Sequence, residues 1–244
     1  MIQGELMLAG SGEFTPAMDE VDRELLAGLR PRARVAIVPT AAGLEDTPDE
    51  WIAKGSEHFR ALGAEPVALR VLNKDDAREP RWRDAVADVD WIYFSGGNPG
   101  HLVDSLAGSP FWAAILERHR AGAILAGSSA GAMMFGESTF VPLDRGPDGF
   151  PTKAVVRPGL GLVSRVIVAP HFDILPERML RQWSELIPQG HRLLGIDEDT
   201  ALVRRNGSWD VRGRGRVMVI RTLDDRIEYR HRASVDAKVL GALP

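Results

Sequence analysis

Cysteine is absent from the 244 residues of this chain. Disulfide bonds, thiolate zinc sites and a cysteine nucleophile are therefore excluded. The chain also lacks an apolar run of about 18 residues, the length that a membrane-spanning helix needs. Its first residues lack the charged and apolar regions of a signal peptide. From these absences we expect a cytoplasmic protein that makes no contact with a membrane.

An excess of basic residues is missing as well. The 30 Lys and Arg residues are outnumbered by 34 Asp and Glu residues, which gives a net charge of −4 at pH 7. Such a balance offers no basic surface to nucleic acid. The hydrophobic fraction of 44% and the charged fraction of 26% are ordinary for a globular protein. Because no repeat or linker divides the chain, we expect a single domain over residues 1–244.

A phosphate-binding loop is present only in part. Gly10-Ser11-Gly12 follows the first expected strand, but Thr15 stands where the G-x-G-x-x-G pattern needs its third glycine. A G-K-[ST] sequence is also lacking. We interpret the segment as a plain turn from strand to helix, and we expect neither an organic cofactor nor a metal ion.

What the chain does contain is Gly127-Ser128-Ser129-Ala130-Gly131, a G-x-S-x-G motif. Small and apolar residues at 123–126 precede it as an expected strand, and good helix formers at 130–135 follow it. Strand, sharp turn and helix together are typical of a nucleophile elbow, in which the turn lifts the serine hydroxyl clear of the sheet. Ser129 is therefore the candidate nucleophile. The alternative is a small-residue loop between core elements.

Continuously apolar segments alternate with helical patterns along much of the chain. Strands are expected at residues 5–9, 34–38, 67–72, 91–94, 123–126, 165–169 and 193–196. Strands of this kind predict an α/β three-layer sandwich with a mostly parallel central sheet. Reactive groups gather at the carboxyl ends of such strands.

Two further segments complete the predicted fold. Alternating runs at 208–211, 216–220 and 227–229 predict a small antiparallel edge near the C-terminus. The segment 141–161 is rich in proline, glycine and charge, and we expect it to be a long loop over the active edge.

A serine hydroxyl needs a base, and the base usually needs a carboxylate that fixes its tautomer. His171 directly follows an expected strand, at the sheet edge predicted for Ser129, and is the candidate base. His101, just after the Gly96-Gly97 turn, is the alternative near the site. The other histidines are expected at the surface or at the wrong end of a strand: His58, His119, His231 and His191.

Three consecutive acids, Asp197, Glu198 and Asp199, follow the expected strand at 193–196. Because neighbouring carboxylates repel one another, only one or two of them can face inward. One helical connection fits between His171 and this acidic run. Asp173 is a further alternative, although it would have to bend back onto its own neighbour.

An acyl-transfer site also needs donors for the oxyanion. The backbone N–H of Ala130, directly after the nucleophile, and that of Gly97, in the Gly-Gly turn, are the candidates. Loss of one such donor typically costs about 10² to 10³ in rate.

Taken together, these residues resemble the peptidase E/cyanophycinase family of serine peptidases, whose fold is that of class I glutamine amidotransferases. The segments that carry the resemblance lie in the family's order at 8–14, 36–41, 94–98, 127–132, 171–172 and 195–201. The resemblance implies Ser129 as nucleophile, His171 as base and Glu198 as the orienting acid. The order serine, histidine, acid separates the chain from α/β-hydrolases, in which the acid precedes the histidine.

The resemblance also implies a substrate class. Family members cleave after aspartate, in α-aspartyl dipeptides or in the β-aspartyl-arginine units of cyanophycin. This chain departs from the family at Pro99, where glutamine is frequent, and at Ala169-Pro170, since cyanophycinases tend to carry an aspartate there. Asn98 and Arg178 are the candidate substrate-binding residues. A guanidinium such as that of Arg178 or Arg181 is suited to pair with an aspartate carboxylate.

We therefore expect a serine-type peptidase that hydrolyses small aspartyl peptides through an acyl-enzyme on Ser129. The expected partner is a small peptide substrate, and a homodimer stays open. The alternative is a non-catalytic binding module, or an amidotransferase-like partner subunit, that retains the fold.

Overall fold

The computed structural model describes residues 4–144, 146–147 and 150–240. The strands are β1 (Leu6–Ala9), β2 (Arg34–Val38), β3 (Glu65–Ala68), β4 (Trp91–Phe94), β5 (Ile124–Ser128), β6 (Ser138–Pro142), β7 (Ala154–Pro158), β8 (Val166–Ala169), β9 (Arg192–Ile196), β10 (Thr200–Arg205), β11 (Ser208–Gly213), β12 (Arg216–Thr222), β13 (Asp225–Arg230) and β14 (Ser234–Val235). The α-helices are α1 (Asp19–Leu26), α2 (Pro48–Ala61), α3 (Arg81–Val86), α4 (Pro99–Leu106), α5 (Pro110–Arg120), α6 (Ala130–Met133), α7 (Glu177–Leu186) and α8 (Ala237–Leu240). Among these described helices, none has the length and apolarity to cross a membrane.

The central sheet has eight strands in the order β14-β11-β10-β1-β5-β4-β2-β3. The five strands from β1 to β3 in this order pair in parallel, and β10 pairs antiparallel with β1. Trp91 and Tyr93 of β4 belong to one apolar cluster, while Ile92 and Phe94 belong to another. Alternate residues of one strand thus face two separate cores, so the predicted α/β fold with a mostly parallel central sheet is confirmed.

A second sheet of four strands, in the order β13-β12-β9-β8, lies beside the central one. The sequence placed β8 and β9 in the central sheet with Ser129, and that placement is wrong. The chain passes between the sheets at the turn 197–199, because β9 belongs to the second sheet and β10 joins β1 in the first. The antiparallel tail is divided in the same way, since β11 extends the central sheet and β12 and β13 extend the second.

The segment 141–161 also differs from its prediction as a long loop. Strands β6 and β7 form a two-stranded antiparallel hairpin in which Phe140 is opposite Val156. Proline and glycine mask the strand pattern here, because the prolines fall at the ends of the ladder. Arg145, Asp148 and Gly149 of this segment lie outside the described residues.

Two histidines expected at the surface are buried. His58 is 2.7 Å from the Asp22 carboxylate through Nε2, and His119 is 2.9 Å from the Ala123 carbonyl oxygen through Nδ1. His58 lies on the buried face of α2 and His119 on the buried face of α5, while charged residues near them in sequence lie on the exposed faces. Their polar partners within the core make burial acceptable.

Candidate active site

The candidate nucleophile stands between β5 and α6, on a strained turn. Ser129 has φ 52° and ψ −117°, a conformation that a residue with a side chain rarely adopts. A Cβ at Gly127 would lie 2.2 Å from the Gly131 carbonyl oxygen, and a Cβ at Gly131 would lie 2.4 Å from that of Phe94. Both glycines are thus required by close backbone approach. The geometry is that of the elbow that the motif predicts.

His171 reaches this serine from the end of β8. Its Nε2 is 3.0 Å from Ser129 Oγ, and its Nδ1 is 2.7 Å from Glu198 Oε1. An ionised carboxylate only accepts hydrogen bonds, so Nδ1 carries the proton and donates it. Nε2 is then left as the acceptor for the serine hydroxyl. This arrangement is suited to remove a proton from Ser129.

Among the acids considered from sequence, the structure brings Glu198 to the histidine. Asp173 accepts the backbone N–H of Glu198 at 2.9 Å and so supports the acid without contacting His171. Asp197 accepts a backbone N–H from β12 at 3.0 Å, and burial raises the pKa of its carboxyl. Asp199 lies 4.0 Å from the guanidinium of Arg214, in the turn between β11 and β12.

The side chain of the alternative base, His101, contacts a backbone carbonyl group and not Ser129. His101 is part of α4, and its Nε2 is 2.7 Å from the carbonyl oxygen of Leu72. Because that oxygen can only accept, Nε2 of His101 is a donor in this contact. Its ring therefore fastens α4 to a neighbouring loop.

The two candidate oxyanion donors lie beside Ser129. Gly97 has φ 140°, and a Cβ there would lie 2.4 Å from the Ala41 carbonyl oxygen. Within the described part of the chain, the N–H groups of Gly97 and Ala130 donate no hydrogen bond. Ala130 is the first residue of α6, where an N–H has no partner inside the helix. Neither N–H group is therefore committed to another described group.

A cavity of about 570 Å³ borders Ser129 and His171. Its apolar wall includes Met133, Phe150, Ile174, Leu175, Met179 and Trp183. The charged residues among the described lining are Glu45 and Asp144, and neither Lys nor Arg is among them. Asp144 is occupied by the backbone N–H groups of Thr152 and Lys153, and the hydrogen bonds from Thr152 contribute most to the lowered pKa of its carboxyl.

The two predicted substrate-binding residues are placed differently. Asn98 lines the cavity, and its Oδ1 accepts the backbone N–H of His101 at 3.0 Å, which caps α4. Arg178 is exposed in the first turn of α7 and is not among the described lining residues. The described residues contain no group of three or more His, Asp or Glu side chains arranged to hold a metal ion.

One buried acid next to the site was not singled out from sequence. Glu13 accepts hydrogen bonds from Gly96 N–H and from the Ser128 hydroxyl. The only signal for it was a lone acid in the glycine-rich turn after the first strand. That signal is weak, because the partners of Glu13 are more than 80 residues away along the chain.

A serine on a strained strand-to-helix turn, bonded to a histidine that contacts a carboxylate, is the geometry of a serine hydrolase. The model of peptidase family S51 matches residues 6–212. The chain therefore belongs to this family of serine-type peptidases, and the resemblance to the peptidase E/cyanophycinase family is confirmed.

Individual relatives agree with this assignment. A cyanophycinase from Trichormus variabilis is 33% identical over 168 residues, which are 66% of this chain and 55% of that protein. The chain thus matches little more than half the length of this relative. The crystal structure of a peptidase from an acI-B1 Actinobacterium has a TM-score of 0.81 and 34% identity, covering 96% of this chain and 97% of that one. A putative peptidase E from Listeria monocytogenes EGD-e, at 20% identity and a TM-score of 0.63, covers 87% of this chain and 100% of its own and shares the fold.

Proposed function

We propose that this chain is a serine peptidase that uses Ser129, His171 and Glu198 as a catalytic triad. The observation that carries the proposal is the unbroken hydrogen-bonded path from Ser129 Oγ through the imidazole to Glu198, with contacts of 3.0 and 2.7 Å. The positively charged imidazole that forms during the reaction lies beside a carboxylate, which stabilises it.

The proposed reaction has two halves. Ser129 Oγ attacks the carbonyl carbon of the substrate while His171 Nε2 takes the hydroxyl proton. The N–H groups of Gly97 and Ala130 hold the resulting oxyanion. His171 then gives its proton to the departing amine, which leaves an ester on Ser129. A water molecule, deprotonated by His171, attacks that ester and releases the acid and the free serine.

For the substrate we propose small aspartyl peptides in which the neighbouring residue carries an apolar side chain. The aspartyl bond rests on the family and on the relative named cyanophycinase. The cavity volume of about 570 Å³ suits a short peptide. Its apolar wall suits the neighbouring side chain, and the amide nitrogen of Asn98 is a donor for the aspartate carboxylate. Arg178 remains a candidate for the same carboxylate.

The first experiment is intact-mass spectrometry after treatment with a fluorophosphonate probe. We expect one adduct on the wild-type chain and none on Ser129→Ala or His171→Ala. Ser138→Ala is the matched control, because Ser138 Oγ also faces a histidine nitrogen at 3.5 Å but lies outside the elbow. This variant should be labelled like the wild type. A folded wild-type chain without an adduct would favour the non-catalytic binding module.

The second experiment compares dipeptides. We expect faster hydrolysis of α- or β-aspartyl-leucine than of β-aspartyl-arginine, because the cavity wall is apolar. Leucyl-leucine is the control for the aspartyl residue itself. Equal or faster cleavage of the arginine peptide would contradict the proposed apolar preference while leaving the triad intact.

A further inference from the structure

Glu13 lies in the turn after β1, and only 7% of it is exposed. Gly12 on one side has φ +83°, and Phe14 on the other has φ 61°. The Phe14 ring packs 4.9 Å from the ring of Tyr93 and 5.9 Å from that of Phe59. This aromatic contact anchors the turn, so the backbone that carries Glu13 has a fixed position on the core.

Both oxygens of the Glu13 carboxylate are used. Oε1 accepts the N–H of Gly96 at 3.1 Å, and Oε2 accepts the hydroxyl of Ser128 at 2.5 Å. In the described part of the chain, Glu13 forms no ion pair with a basic side chain. Its charge is nevertheless felt by a neighbour, since burial and then the charges of Asp22 and Glu13 raise the pKa of Tyr93 well above its usual value. Burying a carboxylate without a cation beside it costs free energy of folding. The presence of Glu13 therefore suggests a role in the site.

The two bonded groups belong to the two segments that form the candidate oxyanion hole. Gly96 directly precedes Gly97, and Ser128 directly precedes Ser129. The segments also touch one another, because a Cβ at Gly96 would lie 3.4 Å from the Cβ of Ser129. One carboxylate therefore spans the ends of β4 and β5, and it holds the segment of one oxyanion donor against the segment of the nucleophile.

We propose that Glu13 is a positioning residue that sets the spacing between the Gly97 N–H and the elbow that carries Ser129 and the Ala130 N–H. This role rests on the proposed function. A carboxylate is suited to it because both partners donate and a carboxylate accepts twice. Bonds to an ionised acceptor are also shorter and stronger than neutral ones. Glutamine would keep one acceptor and would force Ser128 to accept instead of donate.

The test compares Glu13→Ala and Glu13→Gln with the wild type, using the rate constant of fluorophosphonate labelling and the steady-state constants for the fastest dipeptide. For Glu13→Ala we expect labelling and kcat to fall by roughly 10- to 100-fold, since a displacement of about 1 Å can cost that much. KM should change by less than about twofold, because an oxyanion contact acts in the transition state. Glu13→Gln should recover most of the loss.

Asp22→Asn is the matched control. Asp22 is another buried carboxylate, but it pairs with His58 between α1 and α2 and is not among the described residues that line the cavity. This variant should lower the unfolding midpoint and leave the labelling rate unchanged. If Glu13→Ala does not fold, Ser128→Ala removes one of the two contacts and should slow labelling by a smaller factor.

The outcomes separate the two proposals. A folded Glu13→Ala or Ser128→Ala that is labelled at the wild-type rate overturns the role of Glu13, while the triad stands. The role is also overturned if Glu13→Ala and Asp22→Asn lose labelling rate to the same extent for the same decrease in unfolding midpoint. The loss of rate would then be an effect of stability alone. Failure of the wild type to react at Ser129 overturns the proposed function, and the role of Glu13 falls with it.

Discussion

Replacing Glu198 by glutamine tests the least protected link of the proposed triad. The Oε1 of glutamine can still accept the hydrogen bond from the Nδ1–H of His171, so we expect the 2.7 Å contact to be kept. What is lost is the negative charge beside the imidazolium that forms when Ser129 is deprotonated. The variant therefore separates the electrostatic role of the acid from its role in holding the ring.

The size of the loss follows from the exposure of the pair. Two unit charges about 4 Å apart attract by about 1 kcal/mol in water and about 4 kcal/mol at an effective dielectric constant of 20. The His171 side chain is 35% exposed and that of Glu198 is 40% exposed, so screening places the pair between these limits. We therefore expect Glu198→Gln to lose about 1.4 to 2.7 kcal/mol of transition-state stabilisation, which corresponds to a rate reduction of roughly 10- to 100-fold. A fully buried triad acid would cost more.

The assay is the rate constant of fluorophosphonate labelling, measured by intact mass at several probe concentrations. Asp199→Asn is the matched control, because Asp199 lies in the same turn and has φ 53°, a conformation that asparagine tolerates. It should react like the wild type. A wild-type rate for Glu198→Gln, or an equal loss for Asp199→Asn, would refute the assignment of Glu198 as the acid.

Three further predictions concern stability. Gly131→Ala should lose both folding stability and labelling, because its Cβ would meet the Phe94 carbonyl oxygen at 2.4 Å; thermal unfolding and probe labelling check this. Ser129→Gly should be more stable than Ser129→Ala by about 0.5 to 2 kcal/mol in urea unfolding, because glycine relieves the strain at φ 52°. Burial lowers the pKa of His119 in the folded chain, whereas in the unfolded chain the pKa is about 6.5. The folded state should therefore lose stability as the pH falls below about 6.5, because the unfolded chain then binds the proton more readily. The slope is at most about 1.4 kcal/mol per pH unit, and His119→Asn should flatten it between pH 7.5 and 5.5.

Local patterns were sufficient for two of the central strands, but β3, expected at 67–72, lies at Glu65–Ala68, and no strand was expected at β10. The predicted limits of β2 and β4 agree with the structure residue for residue, because continuous apolar runs end abruptly at polar or glycine-containing turns. The elbow is equally local, since its strand, glycines and helix all lie within residues 123–135.

The local patterns could not predict which of the two sheets a strand belongs to. A run such as Leu193 to Ile196 predicts a buried strand, but the central and second sheets both bury such a strand. The choice is made by pairing, here of β9 with β8 and β12. The role proposed for Glu13 was hidden for the same reason, because its two partners come from two other strand ends. Pairing over long sequence distances leaves no periodic signature in the sequence.

The second sheet explains how the candidate base and acid come to share a position. Phe172, next to His171, donates its backbone N–H to the Ile196 carbonyl oxygen at 3.1 Å. Its ring covers β9 so closely that a Cβ at Gly195 would lie 2.4 Å from it. The loop after β8 is therefore seated on the strand that leads into Glu198. His171 and Glu198 are thus positioned through the same packed segment, and the contact of 3.0 Å between His171 Nε2 and Ser129 Oγ joins this segment to the elbow of the central sheet.

Three of the eight described non-glycine residues with positive φ lie at or next to that contact. Ser129, His171 and Asp199 end or follow β5, β8 and β9, and all three are non-glycine residues with φ between 52° and 53°. Each such conformation costs about 1 to 3 kcal/mol and persists only where packing enforces it. The packing is supplied by both sheets, so the site exists only where the two meet. A change that loosens the seat of Phe172 on Gly195 should therefore lower the labelling rate without touching any residue of the triad.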